Sequence, residues 1–173
     1  MIETSEILKL KSATVSALNT TIVTIDGYDR VGKSWVCAYL SKELNLFPIE
    51  LDDFIGENRK VDHARLKASV SNPTKGTSGC IINGVMVLKE LDQIGVQPTY
   101  KIYVKALNSG GGWVHHECTG ASDEAIKFAR EHGFPVGTIY LSSLLADCIQ
   151  YHRDYSPHLS ANAIFENQYW SRN

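Results

Sequence analysis

Residues 21–34 decide the fold, and they read Thr21-Ile22-Val23-Thr24-Ile25-Asp26-Gly27-Tyr28-Asp29-Arg30-Val31-Gly32-Lys33-Ser34. The last eight follow the pattern G-x-x-x-x-G-K-[ST], in which glycines let backbone N–H groups approach a phosphate chain closely. The apolar run before them predicts a strand, and residues 34–44 predict a helix. Strand, loop and helix together predict a nucleotide-binding loop that extends from Gly27 to Trp35.

Two side chains of this loop have predicted roles at the phosphates. We expect Lys33 to reach the β- and γ-phosphates of ATP and the Ser34 hydroxyl to ligate Mg²⁺. Tyr28 and Arg30 are expected to point outward. Arg30 then either contacts the nucleotide or substrate, or is simply exposed to solvent.

Length and charge narrow the class of protein. The chain has 173 residues, which fits one domain over 1–173, and its formal net charge of -2 gives no basic field for a nucleic acid. No apolar stretch approaches the length of about 20 residues that a membrane-spanning helix needs. Four cysteines without a CxxC pair, after a polar start, predict reduced thiols in a soluble, cytoplasmic protein. Oligomeric state is not indicated.

The rest of the chain alternates predicted strands with predicted helices. Strands are expected at 46–51, 80–85, 100–104 and 163–165, and helices at 85–94, 122–132 and 142–155. A helix is also expected within about 1–20, and a glycine-containing, lid-like loop within about 106–121. This order predicts an α/β fold in three layers, with a parallel sheet of about five strands between helices.

Three strand ends carry a resemblance to a known family. Ile25-Asp26-Gly27, Leu51-Asp52-Asp53-Phe54 and Ile81-Ile82-Asn83-Gly84-Val85, together with the segment from Tyr151 to Asn167, resemble the uridine-kinase-like P-loop kinases. That group includes nucleoside, nicotinamide riboside and phosphoribulose kinases. The resemblance implies a P-loop NTPase fold and transfer of phosphate from ATP, with Mg²⁺, to a hydroxyl of a small nucleoside-like or sugar-like molecule.

The resemblance also implies roles for polar residues after the second strand. Asp52 is the expected base for the acceptor hydroxyl, because a carboxylate can orient a hydroxyl and accept its proton. Asp53 is expected to hold Mg²⁺ through water or to pair with a basic side chain; alternatively, both aspartates cap the next helix. His63 and Arg65 are expected either to contact the acceptor or to lie on a solvated helix face.

The chain departs from this family in ways that bear on catalysis. Asn83, a possible substrate contact, stands where most of these kinases have an acid, and Asn162 is a second acid-to-amide change. Residues 108–122 contain no Arg or Lys, although related kinases bring arginines from this region to the phosphates. Arg130, Lys105 or Arg153 could replace them; otherwise the protein is a nucleotide-binding module with weak or no transfer.

Two other features of the lid region bear on ligand binding. His115-His116-Glu117-Cys118 resembles a set of metal ligands, but no partner pair with structural zinc spacing stands elsewhere, so we expect ligand-facing donors or an exposed loop there. Trp113 is expected either to close over a base or sugar or to pack back on the lid.

Overall fold

The computed structural model describes residues 1–16, 21–57, 60–72, 76–114, 122–132 and 139–168. These residues form a six-stranded, fully parallel sheet in the order β1-β6-β5-β2-β4-β3. The strands are β1 (Ile2–Thr4), β2 (Thr21–Gly27), β3 (Phe47–Glu50), β4 (Gly79–Asn83), β5 (Tyr100–Ala106) and β6 (Ala163–Asn167).

Helices connect these strands. They are α1 (Ile7–Val15), α2 (Lys33–Leu44), α3 (His63–Ser71), α4 (Val87–Gln93), α5 (Asp123–His132), α6 (Ile139–Tyr155) and α7 (Pro157–Ser160), with a 3₁₀ helix at Leu51–Phe54. The α/β class and the parallel sheet between helices are confirmed. The sheet has one strand more than the five expected. The additional strand, β1, pairs with β6 and lies in the N-terminal segment for which only a helix was predicted.

The side-chain alternation of the strands separates two core layers. On β4, Ile81 belongs to the core under α1 and α2, whereas Cys80 and Ile82 belong to the core under α3 and α4. Because successive residues of a strand face opposite sides, Asn83 lies on the α2 side, and Asp26 of β2 lies on the opposite side. The polar residues at the ends of β4 and β2 therefore lie on opposite faces of the sheet.

The central position of β2 locates the ligand-binding edge. Its neighbours are β4 on one side and β5 on the other, so the chain order reverses across β2. In open parallel sheets, ligands bind at the carboxyl ends of the strands at such a reversal. The loop after β2 therefore occupies the place where this architecture binds ligands.

Two findings bear on the class of protein. In the part of the chain that the structure describes, no helix has both the length and the apolar character needed to cross a bilayer. Cys37, Cys80 and Cys148 are buried free thiols, and Cys118 lies outside the described residues.

Candidate functional site

The loop after β2 has a backbone that only glycine fits at two positions. Gly27 has a φ of 149°, and a Cβ there would lie 2.5 Å from the carbonyl oxygen of Val104. Gly32 has a φ of 97°, and its Cβ would lie 2.6 Å from Nδ2 of Asn167. Arg30 adopts a left-handed φ of 59° without being glycine. This backbone turns sharply into α2, whose first N–H groups face the loop.

The loop is held from below by a buried carboxylate. Oδ1 of Asp26 accepts a hydrogen bond of 2.7 Å from the Gly27 N–H, and Oδ2 accepts one from the Tyr151 hydroxyl. Burial raises the pKa of Asp26 to about 6, although the Tyr151 and Gly27 hydrogen bonds and the Lys33 charge act to lower it. The sequence does not indicate this role of Tyr151, because no local pattern joins residues 125 positions apart.

Two further hydrogen bonds fix the loop, one from Asn167 of β6 and one from Lys33 at the start of α2. Nδ2 of Asn167 donates to the Val31 carbonyl at 2.9 Å, and Nζ of Lys33 donates to the Tyr28 carbonyl at 2.6 Å. Burial lowers the pKa of Lys33, while the nearby carboxylates oppose this shift. Tyr28 is half-buried and packs against Ile126 and Ile149, which corrects the expectation that it points outward. Only Arg30 of this pair is exposed.

A cavity of about 350 Å³ opens beside this loop at the carboxyl edge of the sheet. Its described lining joins residues from the loop, the start of α2 and the ends of β3 and β4. They are Asp29, Arg30, Gly32, Lys33, Ser34, Trp35, Glu50, Asp52, Asn83, Gly84 and Val85. Among these lining residues the cations are Arg30 and Lys33, and Arg30 pairs loosely with Asp29 at 3.6 Å.

The two aspartates after β3 are separated by the structure. Both are exposed, but Asp52 lines the cavity, whereas Asp53 is absent from the described lining. Both belong to the 3₁₀ helix, and the next helix, α3, is capped by Asp62, whose carboxylate accepts from the Arg65 N–H at 3.0 Å. The alternative that Asp52 and Asp53 cap α3 is therefore wrong. The assignment of Mg²⁺ to Asp53 stays a prediction.

Asn83 lies in a polar network that joins three elements. Its Nδ2 donates to Oγ of Ser34 at 3.2 Å on α2 and to Oε2 of Glu50 on β3. Asn83 is 2% exposed, and its Oδ1 is buried with no hydrogen-bond partner in the described structure. Glu50 was missed at the sequence level, because only the register of β3 against β4 places it opposite Asn83.

The two basic residues expected at the acceptor have other partners. Nε2 of His63 lies 2.7 Å from a carboxylate oxygen of Glu90. The Arg65 guanidinium donates to the Asp53 carbonyl at 2.6 Å and lies 4.7 Å from the centre of the Phe54 ring. Neither residue is among the described lining of the cavity. Their contact with an acceptor stays a prediction.

Two of the three candidate replacements for lid arginines have carboxylate partners outside the cavity. Lys105 pairs with Glu3 at 2.8 Å and Glu166 at 3.4 Å, and Arg153 pairs with Asp123. Arg130 lies on α5, but its side chain is outside the described residues.

The described part of the lid region is a compact turn. Oδ1 of Asn108 accepts from the N–H groups of Gly110 and Gly112, both at 2.9 Å. The Trp113 ring packs edge-on against Tyr103 of β5, with ring centres 5.9 Å apart, and not on the lid-like loop itself. Its closing over a base or sugar stays a prediction. Residues 115–121, including His115, His116, Glu117 and Cys118, lie outside the described residues.

Asn162 belongs to the framework at the opposite edge of the sheet. Its Oδ1 accepts from the Lys101 N–H at 2.8 Å, and its own N–H donates to the Lys101 carbonyl at 2.8 Å. A carboxylate at this position could accept the same bond. The amide at position 162 therefore carries no information about catalysis.

A second, largely apolar cavity of about 430 Å³ adjoins the loop on the β6 side. Gly32, Trp35 and Asn167 border it together with Ile7 and Phe165. The Trp35 ring stacks near Tyr39 with ring centres 6.2 Å apart, yet Trp35 is 58% exposed. An exposed aromatic face beside a phosphate loop is suited to a planar ring.

The donors around the first cavity fit Mg²⁺. Among the described residues no group of three or more His, Cys, Asp or Glu side chains converges on a metal position. The lining nevertheless offers oxygen atoms, from the Ser34 hydroxyl, the carboxylates of Glu50 and Asp52, and the Asn83 amide, whose Oδ1 has no hydrogen-bond partner in the described structure. Mg²⁺ prefers oxygen ligands, keeps several waters and needs few protein carboxylates.

Together, the parallel sheet, the loop after its central strand and the helix that follows define a P-loop kinase-like fold. A solved structure described as a possible uridine kinase from Bacillus stearothermophilus has the same fold, with a TM-score of 0.54 over 92% of this chain and 96% of that one. The two sequences are 15% identical. No protein-family model matches the chain. The comparison with curated proteins likewise finds no match.

Proposed function

We propose that the protein is an ATP- and Mg²⁺-dependent kinase that phosphorylates a hydroxyl of a small nucleoside-like or sugar-like molecule. One observation carries this proposal. The phosphate loop and the carboxylate of Asp52 open into the same cavity, so a phosphate chain and an acceptor hydroxyl can meet there. The fold shared with a possible uridine kinase supports the same class of activity.

The base and ribose of the nucleotide are assigned to the second cavity. It shares Gly32 and Trp35 with the first, so a ligand whose phosphates lie on the loop can continue into it. Its largely apolar wall and exposed Trp35 ring suit a purine, which binds mainly by stacking and burial.

Lys33 and Asp52 perform the chemistry in this proposal. The Lys33 ammonium lies at the start of α2 and balances negative charge that develops on the transferred phosphoryl group. Asp52 orients the acceptor hydroxyl and takes its proton as the oxygen attacks. When bound, Mg²⁺ supplies further positive charge to the phosphates, and Ser34 is the hydroxyl placed to ligate it.

The test is acceptor-dependent formation of ADP. Purified protein is incubated with ATP, Mg²⁺ and a panel of nucleosides and sugars, and ADP is measured with and without each acceptor. Asp52→Asn is expected to lower kcat by about 10²- to 10⁴-fold, while ATP affinity stays within about twofold, because the base acts only in the chemical step.

Glu57→Gln is the comparison, since Glu57 is an exposed carboxylate after β3 that lies outside the described lining of the cavity. A fully active Asp52→Asn variant would remove Asp52 from the role of base. If no acceptor on a broad panel stimulates ADP formation, the kinase proposal fails.

A nucleotide-binding module with little transfer is the second candidate. It is favoured by the small number of cations around the cavity, because the described lining contains only Lys33 and Arg30. Loss of an arginine at the phosphates can lower turnover by about 10³-fold or more. This candidate predicts nucleotide binding by calorimetry without acceptor-dependent ADP, whereas the kinase must show both.

A further inference from the structure

We propose that Glu50 supplies the carboxylate of the magnesium site, acting through its hydrogen bond to Asn83. This inference rests on the proposed function, because it concerns the metal that accompanies the nucleotide. It assigns a role to a residue for which no sequence motif provides one.

The register of the sheet brings the three groups together. Glu50 and Asn83 are paired residues on neighbouring parallel strands, and both side chains face α2. The Asn83 amide uses one N–H for Glu50 and the other for the Ser34 hydroxyl. Ser34 follows Lys33 at the start of α2, where the phosphates are expected to bind. The network therefore extends from the β3 carboxylate to the expected metal ligand.

Glu50 also determines which way the Asn83 amide points. A carboxylate only accepts hydrogen bonds, so the nitrogen of the amide must face it and the oxygen must point away. That oxygen is buried without a hydrogen-bond partner in the described structure, and the residue is 2% exposed. A buried polar atom without a partner is unfavourable and calls for an explanation. A cation, or water held by a cation, beside this oxygen provides one.

Charge separates the roles of the two residues. Asn83 is neutral and brings no negative charge to a divalent cation, whereas Glu50 is the half-buried acid bonded to it. Residues that hold and orient metal ligands typically change metal affinity by about 10- to 100-fold when they are replaced. The negative charge therefore lies on β3, one strand away from Asn83, which bonds Ser34 directly.

The experiment measures how nucleotide binding depends on Mg²⁺. A non-hydrolysable ATP analogue is titrated by calorimetry into the full chain at a series of Mg²⁺ concentrations and in EDTA. Glu50→Gln is expected to raise the Mg²⁺ concentration for half-maximal enhancement by about 10- to 100-fold. Binding in EDTA should stay within about twofold, because the phosphate loop is unchanged.

Three variants make this result specific. Glu57→Gln is the same chemical change at an exposed residue after β3 and should leave the Mg²⁺ dependence unaltered. Adding Asn83→Asp to Glu50→Gln restores a carboxylate in the network and should return the Mg²⁺ requirement to within about threefold of the original, since the charge is again present. Asp53→Asn tests the rival carboxylate. Thermal unfolding of each variant checks that it is folded.

The outcomes separate this inference from the proposed function. If the unaltered protein binds the analogue and Glu50→Gln leaves its Mg²⁺ dependence unchanged, the role of Glu50 is overturned and the kinase proposal stands. A larger effect from Asp53→Asn than from Glu50→Gln would also overturn it. If the unaltered protein binds no nucleotide at any Mg²⁺ concentration, both proposals fail.

Discussion

Replacing Asp26 by asparagine should stabilise the protein at neutral pH. Asp26 is 3% exposed beneath the phosphate loop, and burial raises the pKa of its carboxyl group from the ordinary 3.8 to about 6. The folded state therefore resists ionisation of this group more than the unfolded state does. Asparagine keeps an oxygen for the Gly27 N–H and a polar partner for the Tyr151 hydroxyl, but it has no charge to bury.

The sign and size of the effect follow from linkage. Because the folded pKa of Asp26 lies above the unfolded one, its contribution to stability is greatest below about pH 4 and declines as the pH rises to about 6. A pKa difference of one corresponds to about 1.36 kcal/mol, so the full loss of folding stability is about 3 kcal/mol. Between about pH 4.5 and about pH 7.5, the folded protein loses about 2 kcal/mol of this stability. The free energy of unfolding of Asp26→Asn, relative to the unaltered protein, should rise by that amount.

Urea unfolding at these two pH values, followed by circular dichroism, measures this difference. The control is Asp147→Asn, which changes an exposed aspartate on α6, the helix that carries Tyr151. Tyr151→Phe should have the opposite sign at about pH 7.5. It removes a donor to the ionised carboxylate and is expected to lower the free energy of unfolding by about 2 kcal/mol. If the difference between Asp26→Asn and the unaltered protein does not change with pH, or shrinks as the pH rises, the reasoning is refuted.

Two further substitutions test the loop and the second cavity. Gly27→Ala should lower the free energy of unfolding by at least about 2 kcal/mol more than Gly95→Ala. Both glycines have positive φ, but only a Cβ at Gly27 would meet backbone atoms, those of Val104. Equal losses in urea unfolding would contradict this. Trp35→Ala should weaken nucleotide binding in calorimetry by about 1–3 kcal/mol while leaving the thermal midpoint nearly unchanged, because the ring is 58% exposed; unaltered affinity would exclude stacking there.

Much of the fold was predictable because its signals are local. The continuous β-branched run of β2, the glycine pattern of the loop and the glycine at position 95 each lie within one short segment. The structure has a strand, a turn and a helix end at these places. The first strand was missed for a physical reason. Three residues carry no period, and β1 exists only because β6 offers its edge.

The candidate site was predictable where it depends on the loop and less so where it depends on pairing between strands. Asp52 follows a recognisable strand end and lines the cavity as its role requires. The partners of Asn83 could not be read, because Glu50 is brought to it by the register of β3 with β4 and Ser34 by the packing of α2. His63 and Arg65 illustrate the converse, since basic residues near the site found partners in Glu90 and the Asp53 carbonyl.

The contacts around the phosphate loop suggest why it needs so much support from distant parts of the chain. A loop that presents N–H groups to phosphate must keep that shape before the ligand arrives, since ordering it on binding would reduce affinity. Asp26 with Tyr151 holds its first residue, and Asn167 holds the Val31 carbonyl. The buried charge of Asp26 destabilises the fold at neutral pH, so its retention is explained if a charged acceptor fixes the Gly27 N–H more firmly than a neutral one. Stability and nucleotide affinity should then respond in opposite directions to Asp26→Asn.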